Sequence, residues 1–100
     1  GPIPEDHTLP ACHLEIDGQL VPVTTEVVVI GRGSECDIRI DDPGVSRRHA
    51  MLRLRPSPLI TDLGSTNGTQ VDDAGVEESP LADGSVVTFG AKRAVFRYGG

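Results

Sequence analysis

Apolar and polar residues alternate with a period of two or gather in short β-branched runs, and no stretch repeats at the spacing of a helix face. Leu9 to Ile16 predicts a first strand, and the Asp17-Gly18 that follows is a hairpin-turn dipeptide. Leu20 to Val23 and Val27 to Ile30 come next, divided near Thr24-Thr25. The second of these is β-branched throughout, which predicts a strand buried on both faces. Ile38 and Ile40 alternate with Arg39, and Leu52 and Leu54 alternate with Met51, Arg53 and Arg55, so both segments should turn one face inward. Pro56-Ser57-Pro58 breaks the pattern and Leu59 to Leu63 resumes it. After a polar loop over Gly64 to Thr69, extended chain is expected at Gln70 to Asp72, at Val76 to Ser79 (short, at an edge), at Ser85 to Phe89 and at Val95 to Tyr98. Some ten short strands with turns every ~8–12 residues predict an all-β sandwich or barrel. The expected organisation is one domain over residues 9–98 behind a disordered tail of residues 1–8, whose Gly1-Pro2 matches the remnant left by a site-specific protease.

Composition narrows the function classes. The chain has 100 residues and a formal net charge of −6, with 9 Lys plus Arg against 15 Asp plus Glu. Nucleic-acid binding by counterion release needs a domain that is basic overall, and attachment to an anionic membrane surface needs a polybasic segment. Neither is present. No run approaches the length of a spanning helix, and no signal-peptide pattern is found. Hydrophobic residues make up 37% but aromatics only 3%, with no Trp, so a core of Val, Leu and Ile is available and stacking platforms for bases are not. Cys12 and Cys36 form no disulfide framework, and together with an aliphatic core they point to a reduced, cytoplasmic setting. No Cys or His spacing suits zinc.

The sum of charges hides a segregation. Residues 1–31 carry five acids and no cation, and residues 56–91 carry six acids and no cation. Between them lie six of the nine cations, all arginine: Arg32, Arg39, Arg47, Arg48, Arg53 and Arg55. Arginine presents a planar fork suited to phosphate and carboxylate.

Chemistry in a sandwich sits on its end loops. Three loops stand out: Gly31-Arg32-Gly33-Ser34, Gly44 to His49, and Asp62 to Thr69. They offer arginine forks, hydroxyls, an amide and glycine-freed backbone N–H groups, all of which donate to an oxyanion. Ser46, His49 and Asp62 are the residue types of a hydrolytic triad, but no Gly-x-Ser-x-Gly elbow holds the serine and no catalytic residue is assigned. Asp41, Asp42 and Asp62 lack the spacing of a calcium loop, and Asp41-Asp42-Pro43-Gly44 reads as a turn. No metal and no cofactor are expected.

Five motifs in order carry a resemblance: Gly31-Arg32, Asp37-Ile38-Arg39-Ile40, Val45-Ser46-Arg47-Arg48-His49-Ala50, Asp62-x-Gly64-Ser65-Thr66-Asn67-Gly68-Thr69, and Leu81-x-Asp83-Gly84. Over residues 9–98 the chain resembles a forkhead-associated (FHA) domain, in the compact form found in bacterial Ser/Thr-kinase signalling proteins. The resemblance implies an FHA/SMAD-like β-sandwich of two antiparallel sheets with about eleven strands, and a non-catalytic module that recruits phosphothreonine-containing partners. A kinase, a pseudokinase or a kinase substrate would suit as partner. The module is expected to be a monomeric part of a larger protein, with no nucleic acid bound and no membrane insertion.

Matching motif positions assigns the roles. Arg32, Ser46, Arg47 and Thr66 would meet the phosphate, and Asn67 would bond the peptide backbone just after the phosphothreonine. Arg47 stands where some relatives carry Asn. Gly31, Gly64 and Gly68 are expected to supply positive-φ turn geometry. His49 would tie the binding loops together, and Asp62 with Ser65 would hold its own loop. Arg48 would point to the opposite face. Gly44 occupies a position where some relatives place a charged reader, which implies weak selection at the third residue after the phosphothreonine.

Overall fold

The computed structural model describes residues 12–99. The expected tail over residues 1–8, the Gly1-Pro2 remnant and the start of the first expected strand lie outside these residues. Eleven strands follow one another: β1 (Cys12–Ile16), β2 (Gln19–Pro22), β3 (Val27–Gly31), β4 (Ile38–Arg39), β5 (Ala50–Arg53), β6 (Leu59–Asp62), β7 (Thr69–Val71), β8 (Ala74–Val76), β9 (Glu78–Pro80), β10 (Val86–Phe89) and β11 (Lys92–Tyr98). They form a six-stranded sheet in the order β2-β1-β11-β10-β7-β8 and a five-stranded sheet in the order β4-β3-β5-β6-β9.

The period-two pattern explains the packing. Leu14 and Ile16 of β1, Val87 and Phe89 of β10, and Ala94 and Phe96 of β11 point inward from the larger sheet. Val28 and Ile30 of β3, Leu52 of β5 and Ile60 of β6 meet them from the other. The two phenylalanines are fully enclosed and take the centre that a Trp-free chain must fill with aliphatics and few rings.

Two expectations need correction. Val27–Ile30 is not buried on both faces, because Val27 is exposed and Val29 is half-buried. The outer face of β3 meets solvent. Val76 to Ser79 is not one strand: β8 pairs with β7 in the larger sheet and β9 pairs with β6 in the smaller. Glu77 between them carries the chain across. The sheets are antiparallel as expected except at one edge, where β3 and β4 run parallel. A turn closed by Cys36 N–H on the Gly33 carbonyl (3.1 Å) sends the chain back along β3. Asp37 then bonds Val29 twice, accepting its N–H through the carboxylate (2.8 Å) and donating its own N–H to the carbonyl (2.9 Å). From that anchor β4 restarts in the direction of β3.

Candidate functional site

The loops after β3, β4 and β6 converge at one end of the sandwich. Arg32 N–H donates to the Ser46 carbonyl (2.9 Å) and Gly33 N–H to the Arg47 carbonyl (3.0 Å), so the first two loops lie side by side. This approach requires glycine at position 31, where a Cβ would stand 2.3 Å from the Arg47 carbonyl oxygen. The constraint at Gly31 is thus space. Positive φ, expected at all three site glycines, is found at Gly64 (φ 76°) and Gly68 (φ 88°) and not at Gly31.

The second and third loops are joined by side chains. Ser46 Oγ accepts the Thr66 N–H at 3.0 Å, which leaves the hydroxyl hydrogen free to donate outward. Asn67 Nδ2 donates to the Gly44 carbonyl at 2.9 Å, leaving its other N–H and its Oδ1 available. Beneath them His49 is fully buried. Its Nδ1 accepts the Ser46 N–H (3.1 Å) and its Nε2 lies 2.8 Å from the Gly68 carbonyl. Only the neutral tautomer with hydrogen on Nε2 satisfies both partners. The ring also meets Phe89 edge-on, with centroids 5.6 Å apart, which fixes its plane against the core.

Asp62 organises the third loop from within. Its Oδ2 accepts the N–H groups of Gly64 (3.0 Å) and Ser65 (3.1 Å), and its Oδ1 accepts the hydroxyls of Ser65 and Thr69. Ser65 Oγ in turn accepts the Gly68 N–H at 2.9 Å. Burial pushes the Asp62 carboxyl up, but the bonds from Ser65, Thr69 and Gly64 outweigh it and hold the group below the usual aspartate value. The loop that carries Thr66 and Asn67 is therefore built around an ionised carboxylate.

Arginine forks border this cluster. Arg32 Nε donates to the Val45 carbonyl at 3.0 Å, so the side chain is anchored while its two terminal amino groups have no partner among the described residues. Arg47 is exposed, with Glu35 3.8 Å away, an ion pair of little energetic weight. Arg32, Gly33, Ser34, Arg39 and Arg47 line a shallow depression of about 230 Å³. Arg39 was not among the residues expected at the site. It stands in register with Gly31 across the parallel pair, and its Nε donates to the Arg32 carbonyl at 3.0 Å. Its alternation with Ile38 and Ile40 marked it as outward-facing, but only the reversal of the preceding loop brings it here. Arg48 is exposed and has no side-chain partner among the described residues.

The residues of a hydrolytic triad do not form a relay. His49 Nδ1 meets the Ser46 backbone rather than its hydroxyl, and its Nε2 meets Gly68. The Asp62 carboxylate is occupied by its own loop. Among the described residues no group of three or more His, Cys, Asp or Glu is placed to hold a metal ion, and no helix is long and apolar enough to cross a membrane.

Fold and site together define a class: a small β-sandwich that gathers anion donors on interlocked end loops. The sequence profile of the FHA domain matches residues 28–90. The FHA domain-containing protein FhaA of Mycobacterium tuberculosis is 46% identical over 70 residues, which cover 69% of this chain and 13% of FhaA. A solved structure concerned with phosphothreonine-dependent FHA domain interactions superposes with a TM-score of 0.81 at 38% identity, covering 87% of this chain and 95% of that one. The FhaA FHA domain solved in complex with the intracellular domain of Rv3910 gives the same TM-score and identity, over 87% of this chain and all of that one. The chain belongs to the FHA domain family. It spans only a small part of the length of FhaA.

Proposed function

We propose that this domain binds phosphothreonine peptides through Arg32, Ser46, Arg47, Thr66 and Asn67, and so recruits a partner phosphorylated by a Ser/Thr kinase, without catalysis and in the cytoplasm. The observation that carries this reading is the prepared donor cluster: an arginine fork fixed by its Nε, a serine hydroxyl fixed by its acceptor bond, and the adjoining Thr66 loop. A phosphothreonine brings nearly two negative charges and three acceptor oxygens at neutral pH. Charge-assisted bonds contribute about 1.5–3 kcal/mol each. Three or four of them reach the roughly −8 kcal/mol of a micromolar complex after ordering costs. Those costs are lowered here because donor loops already bonded to one another lose little freedom on binding.

Asn67 suits a role beside the phosphate. One amide hydrogen is committed to Gly44, and the rest of the amide can pair with an extended peptide backbone. The preference for threonine over serine implied by the family needs a pocket for one methyl group. That methyl is worth only ~1 kcal/mol by area, so restricted rotation must supply any stronger selection. The relative described by its phosphothreonine-dependent interactions supports the reading at 38% identity.

A domain that binds through a phospho-independent apolar face would need a contiguous exposed patch. Among the described residues the exposed large hydrophobics are Leu20 and Val27, on strands of different sheets. The deciding experiment is titration with a phosphothreonine peptide library beside the unphosphorylated sequences. Binding should require the phosphate and fall at least about 100-fold in Arg32→Ala with the fold unchanged. Equal affinity for both peptide sets, or full affinity in Arg32→Ala, would refute the proposal.

A further inference from the structure

The donors gathered at this end exceed what one phosphate can use. Arg32, Ser46 and the Thr66 loop already match the three oxygens of a phosphothreonine, and Arg39 is a further fork. Its Nε bond to the Arg32 carbonyl holds the side chain in place and leaves its four terminal N–H donors to the solvent side. Among the described residues no carboxylate lies within 4.0 Å of Arg39 or of Arg32, although the chain is strongly acidic. Arg39 also forms the wall between the arginine-lined depression and a second one of about 220 Å³, bordered by Ile16, Val21, Ile40, the Lys92–Asp17 pair and Asp41. A chain leaving the phosphate past Arg32 therefore meets Arg39 and then a half-apolar hollow.

We propose that Arg39 receives a second anionic group of the same phosphopeptide, on the segment that precedes the phosphothreonine. The direction follows from the role given to Asn67. Asn67, bonded to Gly44, is assigned to the peptide after the phosphothreonine, whereas Arg39 is bonded to the loop of Arg32, which leaves it the segment before. The inference rests on the phosphothreonine reading and extends it to a substrate class: peptides with an acidic residue or a second phosphate upstream. Both groups share the planar or tetrahedral oxygen array that an arginine fork matches.

The test uses a phosphothreonine peptide with neutral flanks. It is compared with peptides that carry Asp, or a second phosphothreonine, at each preceding and each following position in turn. Affinities are measured for the unaltered domain and for Arg39→Gln, and the gain from the added anion is taken as a ratio within each protein. Any effect of the substitution on the shared phosphate site then divides out. In the unaltered domain an anion at a preceding position should tighten binding about tenfold, and in Arg39→Gln the ratio should fall to about one. A gain with Asp identifies a carboxylate as sufficient, and a gain with the second phosphothreonine alone identifies a doubly phosphorylated partner. The proposal is overturned if the ratio is the same in both proteins, if the gain occurs only at following positions, or if no added anion changes an otherwise firm complex. Failure of the neutral-flank peptide to bind at all would remove the phosphothreonine reading, and this inference with it.

Discussion

The loop from Asp62 to Thr69 and the turn at Asp17-Gly18 both begin at an aspartate, and they keep their shapes by different means. At Asp17-Gly18 both residues adopt positive φ, 53° and 75°, and the β1–β2 ladder closes directly over them. Its carboxylate reaches outward to Lys92, an exposed ion pair. In the longer loop the Asp62 carboxylate points inward and accepts from Gly64, Ser65 and Thr69, while His49 and Ser46 grip the same loop from another part of the chain. One conformation is set by local dihedral preference, the other by partners up to 23 residues away. A surface that must present donors in fixed positions depends on the second kind of control.

Substitutions can break this contrast at decreasing strength. His49→Ala should cost most, about 3–5 kcal/mol, because it opens a cavity against Phe89, strands the Ser46 N–H and leaves the Gly68 carbonyl with only the Gly90 N–H. Denaturant unfolding reads this directly, and a loss below about 1 kcal/mol would show that the loops are held by something other than the imidazole. Asp62→Asn should cost about 1–3 kcal/mol near neutral pH and change the response to acid. The folded-state pKa of Asp62 is lowered, so its contribution is complete above the ordinary aspartate value near ~4 and is lost as pH falls through the lower folded value. Stability measured against pH should therefore converge for the two proteins only in strong acid; parallel curves would mean the carboxylate's charge is irrelevant to the loop. Gly18→Ala should cost least, about 1 kcal/mol of left-handed strain, since nothing lies within 4 Å of the added methyl. Phosphopeptide affinity should not change, and an altered affinity would show that the β1–β2 turn communicates with the binding loops.

The same contrast explains what the sequence disclosed. Strand positions set by a two-residue period, such as Leu52 and Leu54 or Ile38 and Ile40, were legible because burial follows alternation. Asp17-Gly18 was legible as a turn because its conformation is local. The turn at Asp72-Asp73, with φ of 50° and 72°, was not, since neither residue advertises a hairpin as glycine does. The division of Val76 to Ser79 between two sheets was hidden because alternation does not say which sheet a strand joins. At the site, the five ordered motifs pointed to Arg32, Ser46, Thr66 and Asn67. Arg39 lay in one of those motifs but was given no role at the site, because its place there depends on the reversal after Gly33 and the Asp37 anchor.

Glu77, the single residue between β8 and β9, has a mechanical consequence. Its carbonyl accepts the Asp62 N–H at 2.8 Å, so the point where the chain crosses between sheets is fastened to the residue that shapes the binding loop. The two layers are pinned to each other at that position, with no slack in the covalent link. The loop that carries Thr66 and Asn67 thus starts from a residue bonded to the one place where the chain passes from β8 in the larger sheet to β9 in the smaller.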